Sequence, residues 1–258
     1  MTTKTSTVKI VGVVLRHASG YGSQDELWTL QVELAAWRHP DGQLVQTPLH
    51  VYMPNLQSHE TLTDFMGSIH PYDVLRMRGC LKLERAEWPM ADVEEMLGKD
   101  SSDEQLNQLA RQLKEPVTVV HPNLGIFTLN REYNSYETDI EWNSQKVALS
   151  LSLGGSDPYE ILVQTAETLW KTQKKWHQRV CDFAVQELLD NFNDTWLQEG
   201  EKTLSAQQFM KRIKLDCIAI SQDSSFVFTF DDGDLFGSHI IQISGTLAQG
   251  PTHADIAG

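Results

Sequence analysis

The alternation of apolar and polar positions divides this chain into short strands and a few helices. Residues 8–15 (VKIVGVVL) form a β-branched run with the composition of a buried strand. Between 27 and 37, Leu27, Thr29, Gln31 and Glu33 fall on one side, and Trp28, Leu30, Val32 and Leu34 on the other. This period of two predicts a strand with one buried face. Pro40-Asp41-Gly42 predicts a turn into a second strand at 44–53. Ser58 opens a short helix with Leu62, Phe65 and Met66 facing inward, and Gly67 closes it. Alternation returns at 73–83, where Val74, Leu75, Met77, Cys80 and Leu83 are the apolar members.

The pattern lapses at 87–116, which is rich in Asp, Glu, Ser and Gln and has Pro89 and Pro116 near its ends. Only Leu106, Leu109, Ala110 and Leu113 recur at helical spacing, so this stretch reads as an acidic linker with an amphipathic helix at 103–114. Past it, strands are expected at 125–131, 136–142 and 146–153. Asp157-Pro158 with Glu160 predicts a capped helix start. Leu162, Ala166, Leu169, Trp176, Val180, Phe183 and Leu188 carry helical spacing as far as Asp190, with a kink expected near 173–175. A short helix from Thr203 or Ser205 to Arg212 and strands at 213–221, 226–231 and 239–246 complete the reading. Phe226, Phe228 and Phe230 share one face.

The fold class expected is α+β. Three strands, a helix and further strands within 1–86 resemble a small closed five-stranded barrel of the OB type, with a glycine kink at Gly79. Residues 117–258 predict an antiparallel sheet packed on a long helix.

Charge separates the two parts. The chain has 35 acidic and 21 basic residues, for a formal net charge of −14. Residues 1–86 hold eight of each, so the excess acidity lies beyond them. Such a surface repels phosphate backbones and anionic membranes and suits a basic protein partner. Cys80, Cys181 and Cys217 are widely spaced with no CxxC pair. They read as reduced thiols in a cytoplasmic protein, with Cys181 in a packing role. The polar N-terminus lacks an apolar signal segment, and no apolar run reaches bilayer length.

Two acidic groups are candidates for partner binding. Asp231, Asp232 and Asp234, with His239, could meet a basic partner or hold a hard cation. The simplest reading of Asp-Asp-Gly-Asp is a turn, and EF-hand spacing is absent. Glu137, Asp139 and Glu141 alternate along one strand and share a face. Trp142, Trp170, Trp176 and Trp196 read as core, and Lys171, Lys174 and Lys175 as solvated helix charges. No HExxH, GxSxG, P-loop or dinucleotide motif is present, and no cofactor or metal is expected. A nucleic-acid reading of the first domain would use Trp28, Trp37 and Tyr52 for stacking, and Arg76, Arg78 and Lys82 near phosphates. The acidity argues against it.

Three stretches carry a family resemblance: 137–153 (ETDIEWNSQKVALSLSL), 166–196 (AETLWKTQKKWHQRVCDFAVQELLDNFNDTW) and 228–258 (FTFDDGDLFGSHIIQISGTLAQGPTHADIAG). Residues 117–258 resemble the bacterial domain-of-unknown-function family twenty-two sixty-two, which implies a fold and no activity. The opening meander of this half also looks like small α+β domains that recur among immunity proteins of bacterial toxin systems. By that analogy the chain is expected to be a non-enzymatic protein-binding module that occludes a basic toxin. The alternatives are nucleic-acid binding through the first domain and a metal-dependent enzyme at 231–239.

Overall fold

The alternating stretch at 27–37 becomes the strand around which the N-terminal unit is wound. The computed structural model describes residues 7–22, 27–84, 87–197, 200 and 202–258. The chain divides into two units, Met1–Pro116 and Val117–Gly258. The first contains β1 (Val8–Val14), β2 (Ser19–Gly22), β3 (Trp28–Arg38), β4 (Leu44–Val45), β5 (Leu49–Leu56), α1 (His59–Ser68), β6 (Val74–Lys82), β7 (Met90–Lys99) and α2 (Glu104–Lys114).

Among the described residues, five of these strands close a ring. β3 pairs antiparallel with β1 and β5, β1 with β6, and β6 with β7. β7 then returns to β5 in parallel, with His50 opposite Met90 and Tyr52 opposite Asp92. Numbered as barrel strands, the spatial order is 1-2-3-5-4 with α1 between the third and fourth, which is the OB topology. β2 and β4 extend the ring along β3. Ile10, Leu30, Leu34, Trp37, Leu49, Met77 and Ala91 fill the interior, and Leu62 of α1 joins them. Gly79 sits at a register shift between β6 and β7. A Cβ there would meet the Asp92 carbonyl oxygen at 2.2 Å, so only glycine fits.

The acidic stretch 87–116 is not a linker. β7 closes the barrel, and α2 packs Leu106 and Ala110 against Val11, Val13, Ala36 and Val74. A barrel strand buries only its inward positions, here Ala91 and Val93, while Glu94 and Glu95 stay in water. Half-burial and charged outward positions gave β7 the composition of a linker.

The second unit contains β8 (Thr118–His121), β9 (Gly125–Asn130), β10 (Ser135–Trp142), β11 (Gln145–Ser152), α3 (Tyr159–Lys171), α4 (Gln173–Asn191), a π-helical turn (Phe192–Trp196), α5 (Ala206–Arg212), β12 (Lys214–Ser221), β13 (Ser225–Asp231), β14 (Ile240–Thr246) and β15 (Gly250–Ala257). The strands lie side by side in chain order. Every neighbouring pair is antiparallel except β11–β12, where the helical crossover makes the pair parallel. Phe226, Phe228 and Phe230 are buried, as their shared face predicts, and they join Trp142, Leu149, Leu169, Val180 and Ala184 in one core.

The predicted long helix is two, broken at Thr172 (φ −120°, ψ 30°). The expected capping box at Asp157 does not form, because Pro158 takes the cap position. The Asp157 carboxylate instead accepts from the Asp223 amide at 2.7 Å, tying the helix start to the β12–β13 turn. β8 and β15 are edge strands that periodicity missed. β15 packs Ala254 and Ile256 on the core and leaves Thr252, His253 and Asp255 polar between and beside them.

One contact anchors α2. Asp103 caps the helix by accepting from the Leu106 amide at 3.0 Å, and it takes the Arg38 guanidinium at 2.7 and 3.0 Å. The Arg38 hydrogen bond holds its carboxyl below the usual range. A depressed folded pKa stabilises above the unfolded value and is lost as pH falls through the folded one. Asp103→Ala should cost about 1–2 kcal/mol at neutral pH in urea denaturation. The gap from wild type should narrow below about pH 4. Equal midpoints at pH 7 would contradict this role.

Candidate functional site

The acidic candidates of the second unit are largely engaged in local structure. Asp232 is buried and accepts from the amides of Asp234 (3.1 Å) and Phe236 (2.7 Å). Asp231 accepts from the Gly233 amide at 2.9 Å, and Gly233 and Asp234 both have positive φ. His239 contacts the Phe236 carbonyl through Nδ1 and lies edge-on to Trp196. The segment is a tight turn. Among the described residues no three His, Cys, Asp or Glu side chains come together to hold a metal. Along β10, Glu137 accepts from Ser135 and Asn130, Asp139 pairs with Lys146 at 2.8 Å, and Glu141 is exposed. Burial pushes the Cys181 thiol up to about 11, which suits packing and not attack.

The aromatic and basic candidates of the first unit separate more sharply. Trp37 is a core residue whose Nε1 donates to the Thr47 carbonyl at 3.1 Å. Trp28 is half-buried against the barrel interior, edge-on to His59. Both rings pack on the barrel core. Tyr52 does stand on the outer surface of β5. Arg76, Arg78 and Lys82 point outward from β6, but each faces a carboxylate: Asp100, Glu95 and Asp92 respectively.

The structure brings Tyr52 together with residues that were not among the candidates. Thr29, Gln31 and Glu33 of β3 and His50, Tyr52 and Pro54 of β5 point away from the core, and Tyr21 of β2 pairs opposite Thr29. A concavity of ≈ 610 Å³ runs between Tyr21, Gln31, Tyr52, Pro54 and Asp92. A second, of ≈ 150 Å³, continues it past Gln31 and Tyr52 to His50, Glu33 and Arg16. At that end Trp88 stacks on His50, with ring centroids 3.9 Å apart and planes 11° from parallel. Tyr21 is 51% exposed and Trp88 52%.

The closure of the barrel produces this stack. The Pro89 carbonyl accepts from the His50 amide at 3.0 Å, and Met90 then pairs with His50. Trp88 is therefore fixed at the start of β7. The groove offers flat π surfaces with amide and carboxylate acceptors between them. Arg16 lines it and contacts Glu33, and the lining carboxylate Asp92 pairs with Lys82. Tyr21 lies in a short Gly-x-Gly stretch with no apolar alternation, and Trp88 in the stretch expected to be a linker. Burial of two bulky rings is the default, and their exposure is the signal that only coordinates supply.

Two family models match the chain. One, described as an uncharacterized protein conserved in bacteria (DUF2262), matches residues 121–256, just over half the chain. The other, a domain of unknown function (DUF7021), matches residues 2–113. Neither description mentions immunity or a toxin. No curated protein matches the chain. Similar solved structures include the small single-stranded DNA-binding protein from Streptomyces coelicolor (17% identity, covering 39% of this chain and 97% of that one, TM-score 0.28). PriB from Ralstonia solanacearum is also similar (10% identity, 36% and 95% covered, TM-score 0.27). So is a mitochondrial single-stranded DNA-binding protein from S. cerevisiae (12% identity, 38% and 100% covered, TM-score 0.27). At these scores the likenesses carry no weight, and the barrel assignment rests on its strand pairings.

The turn geometry makes a direct prediction. Asp232→Ala strands two amides at a buried position and should destabilise by about 2–3 kcal/mol in chemical denaturation. Asp231→Asn and Asp234→Asn should stay within about 0.5 kcal/mol. Equal effects at all three positions would contradict the assignment of Asp232 as the structural member.

Proposed function

We propose that this chain, which belongs to the DUF2262 family of proteins conserved in bacteria, binds single-stranded nucleic acid on the outer face of its N-terminal barrel. The observation that carries this reading is the groove across β2, β3 and β5, with Tyr21, Tyr52 and the His50–Trp88 stack along it. In barrels of this topology, that face and its neighbouring loops are where oligonucleotides lie. Exposed aromatic rings stack on bases without regard to sequence, and each stack is worth about 1–3 kcal/mol.

Charge sets the character of the binding. Residues 1–116 hold eleven basic and sixteen acidic side chains, so no electrostatic funnel precedes contact. Arg16 in the groove and Lys82 beside its lining Asp92 must be shared with Glu33 and Asp92. Affinity therefore comes from stacking and hydrogen bonding, with few phosphates neutralised. The net negative charge disfavours tracking of a long strand, so short segments are the preferred ligand. Cys80, Cys181 and Cys217 are outside any disulfide, which suits a reducing cytoplasm. Among the described residues no helix is long and apolar enough to cross a membrane.

Fluorescence anisotropy with a labelled oligothymidylate tests the proposal. Binding should be saturable. It should weaken by about five-fold or more in each of Tyr21→Ala and Trp88→Ala, in line with the loss of one stack. The logarithm of the binding constant should fall with the logarithm of salt with a slope no steeper than about −1.5, for two phosphates at most. Absence of binding at low salt, or wild-type affinity in both variants, would remove the proposal.

A further inference from the structure

The eight-stranded sheet of the second unit ends on one side in β15 and on the other in β8. An edge strand carries backbone groups that its own sheet does not pair. β15 is blunted: it carries Pro251 and Asp255, and its register with β14 slips between Ser244 and Gly245. β8 carries no proline, carboxylate, lysine or arginine, and its register with β9 is unbroken. The whole stretch 117–130 lacks Asp, Glu, Lys and Arg, in a chain with a net charge of −14. Val120 and Ile126 lie opposite each other on β8 and β9, yet they are 74% and 59% exposed.

The ladder fixes which backbone groups face outward. The Leu129 amide donates to the Val117 carbonyl, so Val117 and Leu129 form a hydrogen-bonded pair. Such pairs alternate along an antiparallel ladder. Val119 and His121 therefore bond to Phe127 and Gly125, while Thr118 and Val120 aim their N–H and C=O groups away from β9. Among the described residues no strand takes that side. These groups match a copy of themselves turned about a twofold axis through Val119. Thr118 of one copy then faces Val120 of the other, and each such pair exchanges two hydrogen bonds. Prolines bracket the strand at 116 and 122. An axis through Thr118 or Val120 would bring one of them, which has no N–H, to an outward position. The prolines thus select the register centred on Val119.

We infer that β8 is a self-association edge, at which a second copy of this chain continues the sheet antiparallel about Val119. Copies with a net charge of −14 repel each other, and the charge-free stretch is where two of them can meet. On the exposed face, Val120 of each copy gains Thr118 of the other as a neighbour, beside its own Ile126. Assembly closes at the dimer, because the join consumes both β8 edges and β15 is blunted. The join is short, so the dimer dissociates on dilution. It uses no residue of the barrel groove.

Sedimentation velocity of the full chain over a concentration series tests the inference. A reversible dimer should form, with no larger species. V120P and T118P each remove an N–H that the β8–β9 ladder does not use. Each should weaken dimerisation at least about tenfold, and circular dichroism checks that both keep the fold. V119C gives a readout that needs no loss of a contact. Residues facing each other in a non-hydrogen-bonded pair lie about 4.5 Å apart at Cα, within disulfide reach. Oxidised V119C should run as a covalent dimer on a non-reducing gel, and wild type should not. A monomer at every concentration overturns the inference and leaves the edge to a strand of a different protein. Growth beyond the dimer, wild-type dimerisation in both folded proline variants, or failure of V119C to cross-link overturns it equally.

Discussion

The parallel pairing of β5 with β7 is the constraint on which the first unit depends. The other ring contacts are antiparallel and follow from neighbouring strands folding back or from β1 bridging β3 and β6. β7 must travel from the far side of β6 to reach β5, and three register partners make the join. Without it the inward faces of β5 and β6 would be open to water, and Ala91 and Val93 would have no interior to enter. The same join fixes Pro89 against the His50 amide and so sets the Trp88 ring on His50. Core and candidate groove thus have one cause: the ring buries the inner face, and its last strand delivers an aromatic side chain to the outer one.

Charge in this protein is used mainly at short range. Asp103 holds α2, Asp232 holds the turn after β13, and Asp157 holds the start of α3 to a distant hairpin. Each carboxylate satisfies backbone amides that would otherwise be stranded at a chain reversal, a role that composition cannot separate from a docking surface. A net charge of −14 therefore says less about a partner than its size suggests, because many of the acids that a partner would meet already have one.

Much of the fold was legible in the chain. Strands with one strongly apolar face, such as β3 and β13, announced themselves by period two, and Gly79 marked the close approach of β6 to β7. What escaped was structure with few buried positions: β7 with Glu94 and Glu95 outward, and the edge strands β8 and β15. The site was less legible still. Tyr52 could be named from alternation. Trp28 and Trp37 looked equivalent to it, yet one is half-buried beside His59 and the other lies within the barrel. Exposure of Tyr21 and Trp88 depends on β2 and β7 taking their places, which is long-range information absent from any local window.

The claim that everything in the first unit rests on is that 90–99 is a barrel strand and not a tether. Nuclear Overhauser contacts in the full-length chain measure it directly. The account predicts backbone contacts in the parallel pattern between 50–52 and 90–92, together with ring contacts between His50 and Trp88. Narrow, random-coil resonances across 87–99 with none of these contacts would contradict it.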